Sequence, residues 1–171
     1  MKNKTLLLIL IVLSFTYSNA QVEADKTINV YPDFEQFSKD YLQNKDNDTI
    51  YVVNFWATWC RPCVEELPLF DSINQAYKNQ KLKLVLVSLD MVDSAATKVV
   101  DFISNKQISS EVVVLTDGRT NRWIDLIDPN WSGAIPFTIV KYNQQSAYYE
   151  KQYHSYADLE KNIQEIKTLK P

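Results

Sequence analysis

Two strongly apolar segments separated by a helical pattern constrain the fold of this chain more than any other feature. Residues 49–55 (TIYVVNF) and 82–89 (LKLVLVSL) are rich in β-branched and aromatic side chains, which is typical of buried strands. Between them, apolar residues recur at helical spacing: Val64, Leu67, Phe70, Ile73 and Tyr77. The segment therefore predicts a strand, a helix that begins at Cys60 and has a kink at Pro68, and a second strand.

The rest of the chain continues this alternation. Helices are predicted at residues 33–42, 94–106 and 121–127, and short strands at residues 112–115, 137–142 and 147–153. The last two are strands expected to pair antiparallel, and Ser155 then caps a final helix with Asp158 three residues on. This order predicts an α/β fold with a central mixed β-sheet flanked by helices on both faces.

The first twenty residues have the pattern of a secretory signal peptide. Lys2 and Lys4 give a positive start, and residues 6–15 form an apolar run that is short for a membrane span. Small residues precede the expected cleavage after Ala20. We therefore expect an exported, periplasmic or otherwise extracytoplasmic protein, with a signal peptide at 1–20 and one domain at 21–171. An uncleaved membrane anchor is the alternative.

Composition and charge disfavour some structural roles for the cysteines and one class of partner. A hydrophobic fraction of 46% supports a core that needs no disulfide framework or structural metal. Loss of Lys2 and Lys4 with the signal peptide changes the formal net charge from −3 to −5, because the chain then has 16 basic and 21 acidic residues. An acidic chain without a basic cluster disfavours nucleic acid as a partner.

The two cysteines, Cys60 and Cys63, are spaced for redox chemistry. A loop this short restricts the unfolded chain little, so a disulfide here contributes little stability. A structural zinc site needs four ligands, and His154 is the sole histidine. Haem attachment needs a histidine after the second cysteine, where Val64 stands, and copper carriers use a different spacing. We expect no metal and no cofactor beyond the cysteine pair.

The predicted helix assigns different roles to the two thiols. Cys60 lies at its N-terminus, where free N–H groups and the macrodipole stabilise a thiolate, and the positive charge of Arg61 is adjacent. Pro62 pre-sets a helical φ in the first turn. Cys63 lies one turn further in and is expected to remain a thiol. Cys60 is therefore the predicted attacking group and Cys63 the resolving one.

A carboxylate is expected to take the proton of Cys63. Glu66 follows Cys63 by three residues and lies on its side of the helix, whereas Glu65 points away. Glu66 is therefore the candidate proton acceptor. The alternative is that Glu66 is a solvated surface carboxylate.

The motifs resemble the thioredoxin superfamily. The stretch 52–63 (VVNFWATWCRPC) is similar to its active-site strand and turn, and 63–68 (CVEELP) resembles the TlpA/ResA-like extracytoplasmic disulfide reductases. A second match is 133–138 (GAIPFT), which resembles the cis-proline loop of the family. The resemblance runs from about residue 49 to the C-terminus, although the glycines usual near the last hairpin are replaced by Asn143-Gln144 and Tyr153-His154.

The resemblance implies a thioredoxin-like fold and site. It implies a cis Ile135–Pro136 bond whose backbone faces the cysteines and pairs with an extended substrate. Asn54 stands where many thioredoxins carry a buried aspartate, which favours Glu66 as the proton acceptor. The aromatic residue Trp59 is expected to shield the disulfide and contact substrate, and Trp131 to line the same groove; a core position is the alternative for Trp59.

The expected function is reduction of disulfides in exported proteins, apocytochrome c among the candidates, by a monomer recharged from a membrane-bound electron donor. A disulfide oxidase or isomerase, and a non-catalytic binding module with this fold, are the alternatives. A peroxidase is disfavoured because Ala57 stands where the resemblance would place a threonine.

Overall fold

Residues 28–43, 46–91 and 95–168 are described by the computed structural model of the protein. The expected signal peptide at 1–20 and the segment 21–26 lie outside these residues. Within the described part of the chain, no helix combines the length and the apolar character that a membrane span requires.

Six strands form one mixed sheet. They are β1 Asn29–Tyr31, β2 Ile50–Trp56, β3 Leu82–Ser88, β4 Glu111–Leu115, β5 Phe137–Tyr142 and β6 Gln145–Tyr149. Their spatial order is β1-β4-β3-β2-β5-β6. β2 pairs parallel with β3 and antiparallel with β5, so β2 lies inside the sheet and its C-terminal end is flanked on both sides.

Helices cover both faces of this sheet. They are α1 Phe34–Phe37, which continues as a π-helix over Ser38–Leu42, α2 Arg61–Ala76, α3 Ala95–Asn105, α4 Thr120–Ile127 and α5 Tyr156–Glu165, followed by a 3-10 turn over Ile166–Thr168. Helices α2, α3 and α5 pack in one apolar cluster, and α1 and α4 pack in the other. The predicted α/β class is confirmed.

β2 is buried on both faces, which explains its nearly continuous apolar sequence. Val52 and Trp56 pack in the cluster that contains α2, whereas Val53 and Phe55 pack in the cluster that contains α1. Asn54 interrupts this pattern because it is polar and fully buried. A buried amide needs hydrogen-bond partners, so its position indicates a polar network beneath the C-terminal end of the strand.

Two edge strands differ from the sequence prediction. The three-residue β1 was not predicted, because two of its residues are exposed and it is too short to show a strand period. β6 was predicted at 147–153 but ends at Tyr149. Beyond it the chain leaves the sheet, because Glu150 accepts hydrogen bonds from Ser132 and the Tyr153 side chain enters the core against Phe70.

The β5–β6 hairpin turns without glycine. Asn143 adopts φ 57°, a left-handed conformation that asparagine tolerates better than most residues. The absence of the expected glycine therefore does not prevent the hairpin, and β5 and β6 pair in register from Thr138–Tyr149 to Tyr142–Gln145.

Asp117 joins α1 to the segment between β4 and α4. Its buried carboxylate accepts hydrogen bonds from the Phe34 N–H at 3.0 Å and from Nε and Nη2 of Arg119 at 2.7 and 2.8 Å. The Arg119 bonds are the main reason that the pKa of Asp117 lies well below its usual value. The ionised carboxylate is thus the form that the fold stabilises.

Replacing Asp117 with Asn is therefore expected to lower the free energy of unfolding at pH 7 by about 1–3 kcal/mol. Because the pKa is lowered by folding, the stabilisation is present above the ordinary carboxyl pKa of about 4 and is lost as the pH falls below it. Urea denaturation at pH 7 and pH 3 measures both effects. The exposed Asp125 on α4 provides the control Asp125→Asn, which should change stability little at either pH.

Candidate active site

The predicted redox pair lies where β2 passes into α2. After Trp56 the chain makes a turn in which the Cys60 N–H donates to the carbonyl of Ala57 at 3.1 Å. Cys60 has extended backbone angles (φ −87°, ψ 98°) and is the N-cap of α2, which begins at Arg61. The sequence prediction of a helix starting at this cysteine is confirmed to within one residue.

Cys60 and Cys63 form a disulfide in this structure, with an S–S distance of 2.05 Å. Cys60 retains 6% exposure, whereas Cys63 is fully buried. The Cys63 N–H points at Sγ of Cys60, 3.4 Å away. An incoming sulfur can therefore reach Cys60 first, and a thiolate on Cys60 would accept a helix N-terminal hydrogen bond.

Arg61 is not available to Cys60 as an unpaired charge. Its side chain is 89% exposed and its Nε donates to Oε1 of Glu65 at 2.8 Å. The same bond is the main cause of the lowered pKa of Glu65. The positive charge of Arg61 thus lies next to Cys60 in sequence but is shared with Glu65 one turn along the helix, and its effect on the thiolate stays a prediction.

Glu66 is buried, so its alternative as a solvated surface carboxylate is wrong. Its Oε1 accepts from Nδ2 of Asn54 at 2.9 Å, and its Oε2 accepts from the Tyr153 N–H at 2.7 Å. Burial raises the pKa of Glu66 to about 7, although both hydrogen bonds act in the opposite direction. A carboxyl with a pKa near neutrality can take up and release a proton under physiological conditions.

Asn54 links this carboxylate to β5. Its Nδ2 donates to Glu66 and also to Oγ1 of Thr138, 3.1 Å away, while its Oδ1 is buried without a described partner. An amide in this position orients Glu66 but takes no proton itself. Among the described residues, Glu66 is thus the ionisable group that this network holds in the core.

The loop before β5 lies against the disulfide. The Ile135–Pro136 bond is cis, as predicted, and the carbonyl oxygen of Ile135 is 3.7 Å from Sγ of Cys60. Gly133 gives the loop its required positive φ of 86°. Nε1 of Trp131 donates to the carbonyl of Ala134 at 2.8 Å, which fixes the loop from inside.

The three tryptophans near the site have different environments. Trp59 is 67% exposed directly before Cys60, whereas Trp56 is buried in the core against Phe102. Trp131 is buried and stacks on Phe137, with 4.0 Å between ring centroids. The expectation that Trp131 lines the groove is therefore wrong; it supports the loop instead, and Trp59 is the tryptophan with a free surface at the site.

Two contacts at the site had no sequence signal. The Tyr153 N–H reaches Glu66 from 87 residues away, and the Asp90 carboxylate binds Thr58 in the turn before Cys60. A backbone donor has no residue type, and Asp90 lies outside the motifs described above. Within the described ranges, His, Cys, Asp and Glu side chains nowhere gather in threes that could hold a metal ion, and His154 is exposed.

Comparison with known proteins assigns the family. The sequence profile of the AhpC/TSA family matches residues 29–146, which include both cysteines and the cis-proline loop. The chain belongs to the AhpC/TSA family.

Proteins similar in sequence to this chain include named oxidoreductases. The chain is 35% identical over 78 residues to sporulation thiol-disulfide oxidoreductase A of Bacillus subtilis, covering 46% of each chain. It is 32% identical over 79 residues to the thiol-disulfide oxidoreductase ResA of Oceanobacillus iheyensis, covering 41% of this chain and 40% of the relative. The chain thus spans about half the length of these curated relatives or less.

Solved structures show that this AhpC/TSA member has a thioredoxin-like fold. A thioredoxin-related protein from Neisseria meningitidis serogroup B superposes with a TM-score of 0.62 and 20% identity, over 73% of this chain and 90% of that one. StoA from Bacillus subtilis gives a TM-score of 0.51 and 22% identity, over 70% and 85%. These structures confirm the predicted fold, and the predicted superfamily is supported by the family profile and the named relatives.

Proposed function

We propose that the protein is a thiol–disulfide oxidoreductase that reduces disulfides of exported proteins through Cys60 and Cys63. The observation that carries this proposal is the placement of the disulfide. Cys60 caps α2, faces the carbonyl of Ile135 at 3.7 Å, and is joined to the fully buried Cys63. The relatives named as thiol-disulfide oxidoreductases support the same activity.

The reaction begins from the reduced dithiol. The Cys60 thiolate attacks one sulfur of a substrate disulfide, forms a mixed disulfide and releases the other substrate sulfur as a thiolate. Cys63 then gives its proton to Glu66 and attacks Sγ of Cys60, which re-forms the protein disulfide and releases the second substrate thiolate. Two electrons pass from the dithiol to the substrate, and the released thiolates take up the protons.

The proposed substrate-binding surface surrounds Cys60. The exposed Trp59 offers an apolar face directly before Cys60, and the Ile135 carbonyl, 3.7 Å from Sγ of Cys60, offers a hydrogen-bond acceptor for an extended substrate. Arg61 and Pro62, the first two residues of α2, are the further residues proposed to contact substrate. An extended peptide carrying a disulfide fits such a surface better than a compact ligand.

The proposed setting is outside the cytoplasm, in the periplasm or an equivalent compartment. The pattern at 1–20 supports export, and the substrates are then disulfide-containing exported proteins, apocytochrome c among the candidates. Such compartments are oxidising, so a reductase there needs a supply of electrons. A membrane-bound dithiol protein that reduces the Cys60–Cys63 disulfide is the proposed donor.

The direction of electron flow separates this proposal from an oxidase or isomerase. A strongly stabilised Cys60 thiolate would make the disulfide oxidising. Arg61 is highly exposed and pairs with Glu65, so it is not a buried cation held against the Cys60 sulfur. A proline directly before the second cysteine, the absence of a histidine between the two cysteines and the resemblance around Glu66 and Pro68 support the reducing direction.

Two measurements on the purified protein are expected to support reduction. Equilibration in graded glutathione buffers, followed by tryptophan fluorescence, should give a potential closer to about −270 mV than to about −120 mV. The dithiol form should also catalyse insulin reduction. The double variant Cys60→Ser, Cys63→Ser is the control that should be inactive. A potential above about −180 mV would favour an oxidase or isomerase, and absent turnover would favour a binding module.

A further inference from the structure

Asp90 is a buried carboxylate bound to the turn that carries Cys60. It follows β3 and is 1% exposed. Its Oδ2 accepts from the Thr58 N–H at 2.9 Å, and its Oδ1 accepts from the Thr58 hydroxyl at 2.6 Å. The Ser88 hydroxyl donates to Oδ2 at 2.8 Å, and Nζ of Lys98 lies 3.4 Å from Oδ1. One carboxylate thus gathers donors from three segments.

The residue that Asp90 holds is inside the active-site turn. Ala57 and Cys60 close this turn through the hydrogen bond from the Cys60 N–H, and Thr58 is its second residue. The N–H and the hydroxyl of Thr58 both donate to Asp90, so the turn has little freedom to rotate. Cys60 is fixed at the end of the turn, where its sulfur meets the Cys63 N–H.

The charge of Asp90 persists at neutral pH. Burial alone would raise the pKa of Asp90, but the bonds from Thr58, Ser88 and Lys98 outweigh it and hold the pKa below the usual value. Lys98 on α3 is half-exposed and partly balances the charge. An ionised carboxylate forms stronger hydrogen bonds than a neutral group, which suits a rigid support.

Asp71 is a second buried carboxylate that accepts several hydrogen bonds, but it does not bind the active-site turn. Asp71 on α2 is 6% exposed and accepts from the N–H groups of Ser109 and Ser110, each at 2.8 Å. It joins α2 to the start of β4, not to the active-site turn. Comparison of the two aspartates therefore separates general stabilisation of the fold from positioning of the thiol.

We propose that Asp90 is a positioning residue for the redox reaction: through Thr58 it holds the turn that places the Cys60 sulfur at the N-terminus of α2. This deepens the proposed function, because an attacking thiolate is useful in disulfide exchange when the helix N–H groups stabilise it. Asp90 does not touch the reacting sulfur; its effect passes through the turn.

The test is the pH dependence of Cys60 alkylation by iodoacetamide in the reduced protein, with the modified cysteine identified by mass spectrometry. In Asp90→Ala the turn loses both bonds to Thr58. We expect the alkylation profile to move to higher pH and the rate at pH 7 to fall about fivefold, the size of a lost helix N-terminal interaction. Asp90→Asn keeps an acceptor for the Thr58 N–H and should restore most of the rate.

The sign of the change distinguishes position from charge. Removing a nearby negative charge would by itself make the thiol more acidic and move the profile to lower pH. A downward movement, or none, would overturn the proposal. So would Asp71→Ala if it moved the profile as far as Asp90→Ala does, because the effect would then be one of general stability.

A milder pair of variants decides the matter if Asp90→Ala does not fold. Thr58→Val removes the hydroxyl bond and keeps the N–H bond to Asp90, so it should move the profile upward by a smaller amount. Thr58→Ser keeps both bonds and should leave the profile in place. Equal profiles for these two variants would contradict the proposal. Alkylation needs no disulfide substrate, so this result is independent of whether the protein reduces insulin.

Discussion

Replacing Cys63 with Ser is expected to trap the protein on its substrate as a mixed disulfide through Cys60, with no turnover. Cys60 is the cysteine that retains exposure, while Cys63 is fully buried beneath it. Without the second thiol, the bond between Cys60 and substrate has no internal route to release. Non-reducing gels of the reduced variant mixed with a disulfide-containing protein should show the covalent complex, which dithiothreitol dissolves.

Cys60→Ser is the matched control. This variant keeps one thiol, but that thiol is buried, so it should form no complex and show no turnover. Alkylation of the reduced native protein should likewise modify Cys60 before Cys63. The assignment of roles would be wrong if Cys63 reacted faster, or if the Cys60→Ser variant accumulated the complex.

The second large effect is expected from Glu66→Gln, which should slow resolution of the mixed disulfide by about a hundredfold at pH 8. Gln has nearly the same size and can keep the bond from the Tyr153 N–H, but it takes no proton from Cys63. Stopped-flow release of substrate from a preformed mixed disulfide measures this step directly.

The pH profile of resolution gives a separate signature. Because burial raises the pKa of Glu66 to about 7, the carboxylate is present above that pH and protonated below it. The native resolution rate should therefore rise as the pH increases through about 7, and Glu66→Gln should lose this inflection. Glu65→Gln is the control, since Glu65 is exposed and pairs with Arg61. Equal resolution rates for Glu66→Gln and Glu65→Gln would remove Glu66 from the reaction.

The central strands of the fold could be predicted from the sequence because their apolar side chains indicate burial directly. β2 and β3 lie within one residue of their predicted limits, since strands buried on both faces are continuously apolar. The edge strands were harder to predict. β1 is too short to show a period, and β6 ends early because Glu150 and Tyr153 turn toward other segments.

The site was predictable where the chemistry depends on neighbours in sequence. Cys60, Cys63 and Glu66 follow one another at intervals of three residues, so they lie on the same face of α2. This face packs against the core, and Glu66 is therefore buried. Contacts between distant segments were not predictable. The support of the turn by Asp90 and the burial of Trp131 depend on how loops from different strands meet at one end of the sheet.

The contact between Glu66 and the Tyr153 backbone bears on how freely this region can vary during evolution. The donor is a main-chain N–H, so nineteen of the twenty amino acids can supply it and proline alone cannot. The glycine that the resemblance led us to expect near this position is therefore not needed for the contact. Variation at this position is therefore limited by the buried Tyr153 side chain, which packs against Phe70 in the core, and not by the bond that orients the buried acid.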